Sequence, residues 1–474
     1  MFEFISIEQY HAQLSAGTVT CVQAVQHYIQ AINKNNSLNA FLEVFGDDAI
    51  ERASELDNIP VAERKGKLFG VVMGIKDLLC YKGHQTTASS KILSGYISLY
   101  SGTAIERLLA EDAIIIGRQN CDEFGMGSTN ENSAYGPVLN SVDTSMVPGG
   151  SSGGSAVAVK AGLCMASLGS DTGGSVRLPA DFCGTIGFKP SYGRVSRHGL
   201  IAYASSFDQI GILANTPNDV AIILEVIAGA DNYDSTVSSL PIENYSSPKD
   251  TGKKFRIAYF PEWICHPSID PEIQSSLQNL LIRLTEAGHY IAPVSFTLTD
   301  YIVPTYYILT TAEASSNLAR FDGVRYGLRE KEDVSDLKEF YKQNRSKGFG
   351  EEVKRRIMLG TFVLSAGYYD AYFTKAQQVR RLLQNQTEEI FQDFDLLLAP
   401  NSPTTAYKAE QKNEDPLAMY MGDIFTVFAN LTGIPSISLP VFKHSSNLPF
   451  GIQAMSNRFN EVHLLCFSHQ LMQQ

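Results

Sequence analysis

The chain has 474 residues, 44% of them hydrophobic, which is enough to fill the core of one very large α/β domain or of two to three ordinary ones. Its formal net charge of −12 argues against this chain binding a nucleic acid by itself, because neutralised phosphates supply most of such affinity. The seven cysteines are scattered and form no C-x-x-C pair, which argues against a disulfide framework or a zinc cluster and favours the cytoplasm. The N-terminal residues lack a basic region and no apolar run reaches the roughly 18 residues of a membrane span, so we expect neither targeting nor membrane insertion.

The first 65 residues are predicted to form a helical lead-in. Ser6-x-x-Gln9 and Thr20-x-x-Gln23 each have the capping-box pattern that opens a helix. The second pattern is followed by apolar residues at helical spacing. Two helices are therefore expected within the first forty residues.

Beyond the lead-in, short apolar runs alternate with helix-like stretches. Thr103-x-x-Glu106 is predicted to open a helix between two of these runs, and residues 353–364 have a helix-like pattern. Residues 235–251 are rich in Ser, Pro, Asn and Asp, which predicts a surface connection. The alternation of strands with helices predicts an α/β protein. The predicted strands cover 68–75, 113–116, 165–168, 185–188, 255–260 and 395–400.

Two segments rich in glycine and serine, 148–156 and 169–180, are the strongest chemical signal in the chain. Glycines tolerate positive φ and let a substrate lie close to backbone N–H groups. Amide hydrolysis needs a nucleophile, a base that accepts its proton and donors for the developing oxyanion. Together with Lys76 upstream, the two segments contain residues for all three roles.

Ser175 is the candidate nucleophile because it follows a Thr-Gly-Gly turn. Its own N–H and those of Thr172, Gly173 and Gly174 are expected to converge on one carbonyl oxygen and form an oxyanion hole. Without its context, a lone Gly-Gly-Ser is more often an ordinary tight turn. The residues on both sides of this turn, which match the family motif described below, favour the role of nucleophile for Ser175.

Lys76 is the candidate base. It ends an apolar, strand-like run, where desolvation lowers the pKa of a lysine, and only a neutral lysine accepts a proton. The competing interpretation is that it pairs with Asp77 or reaches the surface, as most lysines at strand ends do.

Other nucleophiles have weaker support. The nine histidines include no H-E-x-x-H motif, and His198 is the nearest to the serine segments, so a Ser-His-Asp triad lacks local support. Cys183 lies eight residues after Ser175 and is better explained as a small core residue than as a reactive thiol.

The order and spacing of Lys76, Ser151 and Ser175 resemble the Ser-Ser-Lys pattern of the amidase signature family. Ser151 keeps the family spacing and is the expected proton relay, with Ser152 as the alternative. The family places this serine after a cis peptide bond, which here would join residues 150 and 151. Segments 122–136, 187–196, 313–323 and 449–453 further resemble a branch of that family, the glutamine-hydrolysing subunits of tRNA-dependent amidotransferases.

The resemblance implies one amidase-signature domain over residues 1–474, an α/β fold with a large mixed β-sheet flanked by helices on both sides, and a cap or insertion at about 235–350. It implies a glutaminase that releases ammonia for the conversion of Glu-tRNA(Gln) to Gln-tRNA(Gln), in a carbon–nitrogen ligase whose partner subunits B and C complete a heterotrimer. The partner is expected to bind ATP, Mg²⁺ and most of the tRNA, while this chain holds no metal or cofactor. The alternatives are a stand-alone amidase for aliphatic or aryl amides, and a non-catalytic assembly subunit.

Recognition of free glutamine requires a cation for its α-carboxylate and an anion for its α-ammonium group. The resemblance points to Arg356 for the first role and Asp423 for the second, and Arg355 is a near-equal candidate by register. Further pocket positions implied by the resemblance are Gly127, Ser128, Gln209 and one of Tyr306 and Tyr307.

Overall fold

Strands from most of the chain join a single mixed sheet. The computed structural model describes residues 2–247, 252–330, 336–409 and 422–473. Within these ranges an 11-stranded sheet is formed. Its strands are β1 Phe41–Val44, β2 Val72–Lys76, β3 Ile114–Gln119, β4 Ala166–Asp171, β5 Ile186–Lys189, β6 Gln209–Ala214, β7 Arg256–Tyr259, β8 Tyr290–Pro293, β9 Leu396–Pro400, β10 Ser436–Lys443 and β11 Pro449–Ser456.

The strand order is β1-β3-β2-β4-β6-β5-β10-β11-β9-β7-β8. Strand β2 lies between β3 and β4 and is parallel to both, and β7 is likewise parallel to β8 and β9. The remaining neighbours are antiparallel. Central strands such as β2, β4 and β9 are buried along their whole length, as expected where helices cover both faces of a sheet.

Helices flank the sheet on both sides. In the described ranges they are α1 Ile7–Ser15, α2 Cys21–Lys34, α3 Gly46–Asp57, α4 Thr103–Ala110, α5 Gly153–Lys160, α6 Arg177–Cys183, α7 Pro217–Ile227, α8 Pro261–Ile264, α9 Pro271–Glu286, α10 Ile302–Asn317, α11 Leu337–Gly348, α12 Glu351–Val363, α13 Lys375–Asp393, α14 Val427–Thr432 and α15 Glu461–Met472. None of the helices in these ranges has both the length and the apolar character that crossing a bilayer requires.

The predicted helix starts agree with the structure at two of three positions. The Ser6 side chain accepts the N–H of the residue three positions on, and Thr20 forms a complete capping box with Gln23. Helix α4 begins at Thr103, but its N-cap is Gly102, so the threonine is the first helical residue and not the cap. Residues 1–65 also contain the strand β1, so the lead-in is not purely helical.

The predicted strands all exist, although several have different ends. The strand expected at 68–75 runs from 72 to 76, which makes Lys76 its last residue. Strands β1, β6, β8, β10 and β11 were not predicted. The region 235–350, expected as a cap or insertion, contributes β7 and β8 to one edge of the sheet. Part of the surface connection predicted at 235–251 lies outside the described residues.

The C-terminal ends of β2 and β4 lie at the same edge of the sheet, because the two strands are parallel and in register from Met73 with Ala166 to Ile75 with Leu168. Lys76 is the last residue of β2 and Asp171 the last of β4. In open α/β sheets, ligands bind beyond the carboxyl ends of the strands. The topology therefore brings Lys76 and the second serine segment to one place.

Candidate active site

Lys76 is completely buried and contacts the first serine segment. Its Nζ lies 2.7 Å from Ser151 Oγ and 2.9 Å from Ser152 Oγ, and it donates a longer bond of 3.4 Å to the Ser170 carbonyl. Burial lowers the pKa of Lys76 to about 8, although nearby acidic groups oppose the shift. The alternatives of a surface lysine or of a pair with its neighbour in the chain are therefore wrong.

Both serines of the first segment reach the lysine, but they differ in their other contacts. The Ser152 hydroxyl also donates to the Ser170 carbonyl at 3.1 Å. The only hydrogen bond of Ser151 Oγ to a described residue is the one with Lys76. Its hydroxyl therefore retains a proton for a second partner, as a relay requires. The Gly150–Ser151 peptide bond is cis, as the resemblance implied.

Ser175 lies in the loop between β4 and α6. Its carbonyl accepts the N–H of Ser152 at 3.0 Å, which ties the two glycine-rich segments together. The residue is 8% exposed, whereas Lys76 and Ser151 are at 0%. Of the three predicted catalytic residues, Ser175 is thus the one that a substrate can reach.

A buried ion pair holds the Ser175 loop in shape. The Asp171 carboxylate accepts the Gly174 N–H at 2.9 Å and the Val176 N–H at 3.2 Å, and it pairs with Arg177 at 3.0 Å. Burial alone would raise the pKa of Asp171, but the charge and hydrogen bonds of Arg177 hold it well below its usual value. The Gly174 N–H is therefore directed to Asp171, which differs from its predicted place in the oxyanion hole.

The remaining oxyanion-hole prediction concerns the N–H groups of Thr172, Gly173 and Ser175. Gly173 and Gly174 are needed sterically, because a Cβ on them would lie 2.3 Å from the Tyr306 and Thr426 hydroxyl oxygens, respectively. Gly174 also has a φ of +127°. The donor roles of Thr172 and Gly173 stay a prediction.

The structure distinguishes the two candidate arginines. Arg356 is buried on the inner face of α12, where its Nε donates to Glu352 at 2.8 Å and one Nη donates to the Tyr203 hydroxyl at 2.8 Å. The side chain of Arg355 is 55% exposed and pairs with the other carboxylate oxygen of Glu352. Of the two candidates, only Arg356 lies inside the protein next to the other pocket residues.

Arg356 and Asp423 are connected through a tyrosine. The Tyr307 hydroxyl donates to Asp423 Oδ2 at 2.8 Å, and the Arg356 guanidinium carbon lies 5.6 Å from the Tyr307 ring centre. The Tyr306 ring packs edge-on against Tyr307 with ring centres 5.0 Å apart, and its hydroxyl approaches Gly173. Tyr306 therefore lies between the Ser175 loop and Tyr307, which contacts both charged residues.

The other predicted pocket positions lie around the candidate catalytic serines. The Ser128 carbonyl accepts the Gly150 N–H at 2.8 Å, and a Cβ on Gly127 would lie 2.4 Å from the Asp122 carboxyl carbon. Gln209 begins β6 in register with Asp171, and its buried Oε1 has no hydrogen-bond partner among the described atoms. Their contacts with a substrate stay a prediction.

Five residues of this site were not predicted. Asp171 and Arg177 belong to the second serine segment, so a search for buried ion pairs there would have found them. Glu352 precedes Arg356 by four residues, the spacing of a helical ion pair. Nothing in the local sequence marks the other two, which are Tyr203 and Thr426.

The alternative chemistries have no support in this geometry. Cys183 is buried, and burial raises the pKa of its thiol far above the usual value. Across the described ranges, no group of three or more His, Cys, Asp or Glu residues has the geometry of a metal site. A buried lysine beside two serines, with a third serine in a glycine-framed loop, is the arrangement that an amide hydrolase of the Ser-Ser-Lys type requires.

The family model described as Amidase matches residues 23–465, and the chain belongs to this family. It is 48% identical over 475 residues to the A subunit of glutamyl-tRNA(Gln) amidotransferase from Chlorobium phaeobacteroides (strain BS1), and the match covers 99% of this chain and 98% of the relative. It is 50% identical over 452 residues to the protein of the same name from Acidobacterium capsulatum, where the match covers 95% and 94%.

Solved structures agree with this assignment. The crystal structure of the A subunit of glutamyl-tRNA(Gln) amidotransferase from Thermotoga maritima has a TM-score of 0.79 at 38% identity and covers 98% of this chain and 93% of that chain. A bacterial aryl acylamidase of the amidase signature family has a TM-score of 0.86 at 22% identity over 99% and 96% of the two chains. At that identity the second likeness shows the fold alone. The predicted amidase-signature fold is confirmed.

Proposed function

We propose that this chain hydrolyses the side-chain amide of L-glutamine and supplies the ammonia that converts Glu-tRNA(Gln) to Gln-tRNA(Gln). The observation that carries the proposal is the position of Arg356 and Asp423, which are linked through Tyr307 beside the Ser175 loop. An amino-acid head group has one anionic and one cationic end, and this pocket has one residue for each. Its near-full-length similarity to the A subunits of glutamyl-tRNA(Gln) amidotransferases supports the same substrate.

In the proposed reaction, Ser175 attacks the amide carbon of glutamine. Its proton passes to Ser151 Oγ, while the proton of Ser151 passes to neutral Lys76, which lies 2.7 Å away. The oxyanion is stabilised by backbone N–H groups of the glycine-rich loop. Lys76 returns the proton through Ser151 to the leaving nitrogen, so ammonia departs and a glutamyl ester remains on Ser175. Water, deprotonated by the same route, releases glutamate.

Arg356 and Asp423 are assigned to the amino-acid head of glutamine from the hydrogen bonds that they already make. Arg356 donates its Nε–H to Glu352 and one Nη–H to Tyr203, so we assign its second Nη to the α-carboxylate of glutamine. Asp423, held by the Tyr307 hydroxyl, is assigned to the α-ammonium group. The neutral amide at the other end of glutamine then faces Ser175.

We further propose that subunits B and C complete a cytoplasmic heterotrimer and that the partner binds ATP, Mg²⁺ and the tRNA. The net charge of −12 supports this division, because an acidic chain attracts a polyanion poorly. None of the seven cysteines, all of which lie in the described ranges, forms a disulfide bond, which is usual in a reducing compartment.

The first experiment measures glutamine hydrolysis by the chain, alone and with subunits B and C, Glu-tRNA(Gln) and ATP. Ser175→Ala is expected to abolish ammonia release. Ser275→Ala changes an exposed serine on α9 and is expected to leave it intact. Hydrolysis of simple amides without activity on glutamine would instead move this chain to the stand-alone amidases.

A second experiment tests the pocket with neighbouring arginines. Arg356→Ala removes charge-assisted hydrogen bonds and is expected to raise the KM for glutamine by about 10- to 100-fold. Arg355→Ala is the matched control, because its side chain is 55% exposed on the same helix. Equal effects of the two variants, or unchanged glutamine turnover in Arg356→Ala, would contradict the assigned pocket.

A further inference from the structure

Asp208 is a buried carboxylate near the active site that the proposed reaction does not use. Its Oδ1 accepts the Thr172 hydroxyl at 2.7 Å. Its Oδ2 accepts the backbone N–H groups of Tyr203 at 3.0 Å and Ala204 at 3.1 Å. The carboxylate therefore joins the loop before Ser175 to a separate turn, residues 203–208.

The first connection reaches the nucleophile loop. Thr172 lies three residues before Ser175 and carries one of the N–H groups predicted to stabilise the oxyanion. A side chain anchored at 2.7 Å restricts the rotation of its own peptide unit, and an oxyanion hole depends on donors that are held in place before the reaction. The contact with Asp208 thus bears on the chemical step.

The second connection reaches the glutamine pocket. The Tyr203 N–H is bound to Asp208, while the Tyr203 hydroxyl accepts a hydrogen bond of 2.8 Å from Arg356. The Tyr203 ring centre also lies 5.6 Å from the guanidinium carbon. The turn is closed by the N–H groups of Phe207 and Asp208, which both donate to the Ala204 carbonyl at 2.9 Å. A path made of hydrogen bonds and the Tyr203 side chain thus runs from Thr172 to Arg356.

A carboxyl group at this depth is costly unless its hydrogen bonds are satisfied. Burial raises the pKa of Asp208 to about 7, and the charge of Glu313 acts in the same direction. A protonated, uncharged Asp208 would have fewer acceptor sites than the carboxylate, which here accepts hydrogen bonds from three donors.

We propose that Asp208 is a positioning residue that couples recognition of the amino-acid head by Arg356 to the geometry of the oxyanion loop before Ser175. This inference rests on the proposed glutaminase function and goes beyond it. In this arrangement a glutamine that engages Arg356 steadies Tyr203, and the shared carboxylate passes that constraint to Thr172. A simple amide lacks the head group and does not receive this benefit.

The test uses Asp208→Ala in the complete complex. Alanine has no side-chain acceptor, so all three bonds are lost. We expect kcat for glutamine to fall by about 10- to 100-fold and KM to rise several-fold, with a smaller loss for a simple aliphatic amide.

Two further variants separate the ends of the path. Thr172→Val removes the hydroxyl and is expected to lower kcat more than it changes KM, and Thr172→Ser, which restores the hydroxyl, should recover most of that loss. Tyr203→Phe is expected to raise KM more than it changes kcat. If the path couples the sites, combining Thr172→Val with Tyr203→Phe changes kcat/KM by at least fivefold less than the product of the single effects.

Several outcomes would overturn the proposal. One is an Asp208→Ala protein with an unchanged melting temperature and a kcat/KM within twofold of wild type, and another is strictly multiplicative effects in the double variant. If Asp208→Ala fails to fold, the double-variant cycle decides alone, because both of its substitutions leave Asp208 in place. A wild-type complex without glutaminase activity would refute the proposed function instead, and fluorophosphonate labelling rates of Ser175 in the same variants would then test the positioning role.

Discussion

Lys76 is a base only when it is neutral, so its titration should control the rate. Burial disfavours the charged ammonium group and lowers its pKa from 10.5 to about 8, even though acidic groups such as Asp122, Asp171 and Asp208 act in the opposite direction. At pH 7 a pKa of about 8 leaves about a tenth of the lysine neutral, roughly 300-fold more than at the ordinary value. The lowered pKa of Lys76 therefore increases the fraction of enzyme with a neutral lysine about 300-fold at pH 7.

The assay is kcat/KM for glutamine between pH 5.5 and 9.5. Because the neutral form is the active one, the rate should rise about tenfold per pH unit below pH 8 and level off above it. Lys76→Arg puts a guanidinium at this position that stays charged, so activity should fall by on the order of 10³-fold or more at every pH. Lys160→Arg is the control, because this lysine is exposed on the helix that follows Ser151.

Three results would refute this reasoning. The first is a profile that is flat from pH 6 to 9. The second is a rise that continues without levelling to pH 9.5, which would mean that the lysine keeps its ordinary pKa. The third is a Lys76→Arg protein whose activity and pH dependence match those of the wild type.

Other predictions address the relay, the loop and its ion pair. Ser151→Ala should lower the steady-state kcat by about 10²- to 10⁴-fold, and Ser152→Ala by clearly less. Equal losses in the two variants would contradict the assignment of the proton relay to Ser151. Arg177→Met leaves the Asp171 carboxylate buried and unpaired, so the free energy of unfolding in urea should fall by about 3–5 kcal/mol, and a loss below 1 kcal/mol would contradict the importance of this pair. Gly174→Ala should abolish labelling of the nucleophile by a fluorophosphonate probe, because φ is +127° there; normal labelling would show that the loop tolerates a side chain.

Much of the fold and the catalytic centre could be predicted because the signals are local. The complete capping box at Thr20 and the strand before Lys76 depend on residues that are neighbours in the chain. The unpredicted strands β10 and β11 pair with each other and with β5 and β9, and their assignment depends on partners far away in sequence. The observed ends of several strands also differ from the predicted ones, because hydrogen bonding to neighbouring strands determines where a strand ends.

The chemistry proposed for this protein could be inferred from local sequence features: a lysine in an apolar strand, two serine segments framed by glycines, and an acidic chain. The three-dimensional structure distinguished Arg356 from Arg355, because both belong to one helix and just one face of that helix is buried. It likewise decided that the Gly174 N–H binds Asp171, and that Asp208 joins Thr172 to Tyr203. A hydrogen bond depends on distance in space, whereas the sequence pattern specifies distance only along the chain.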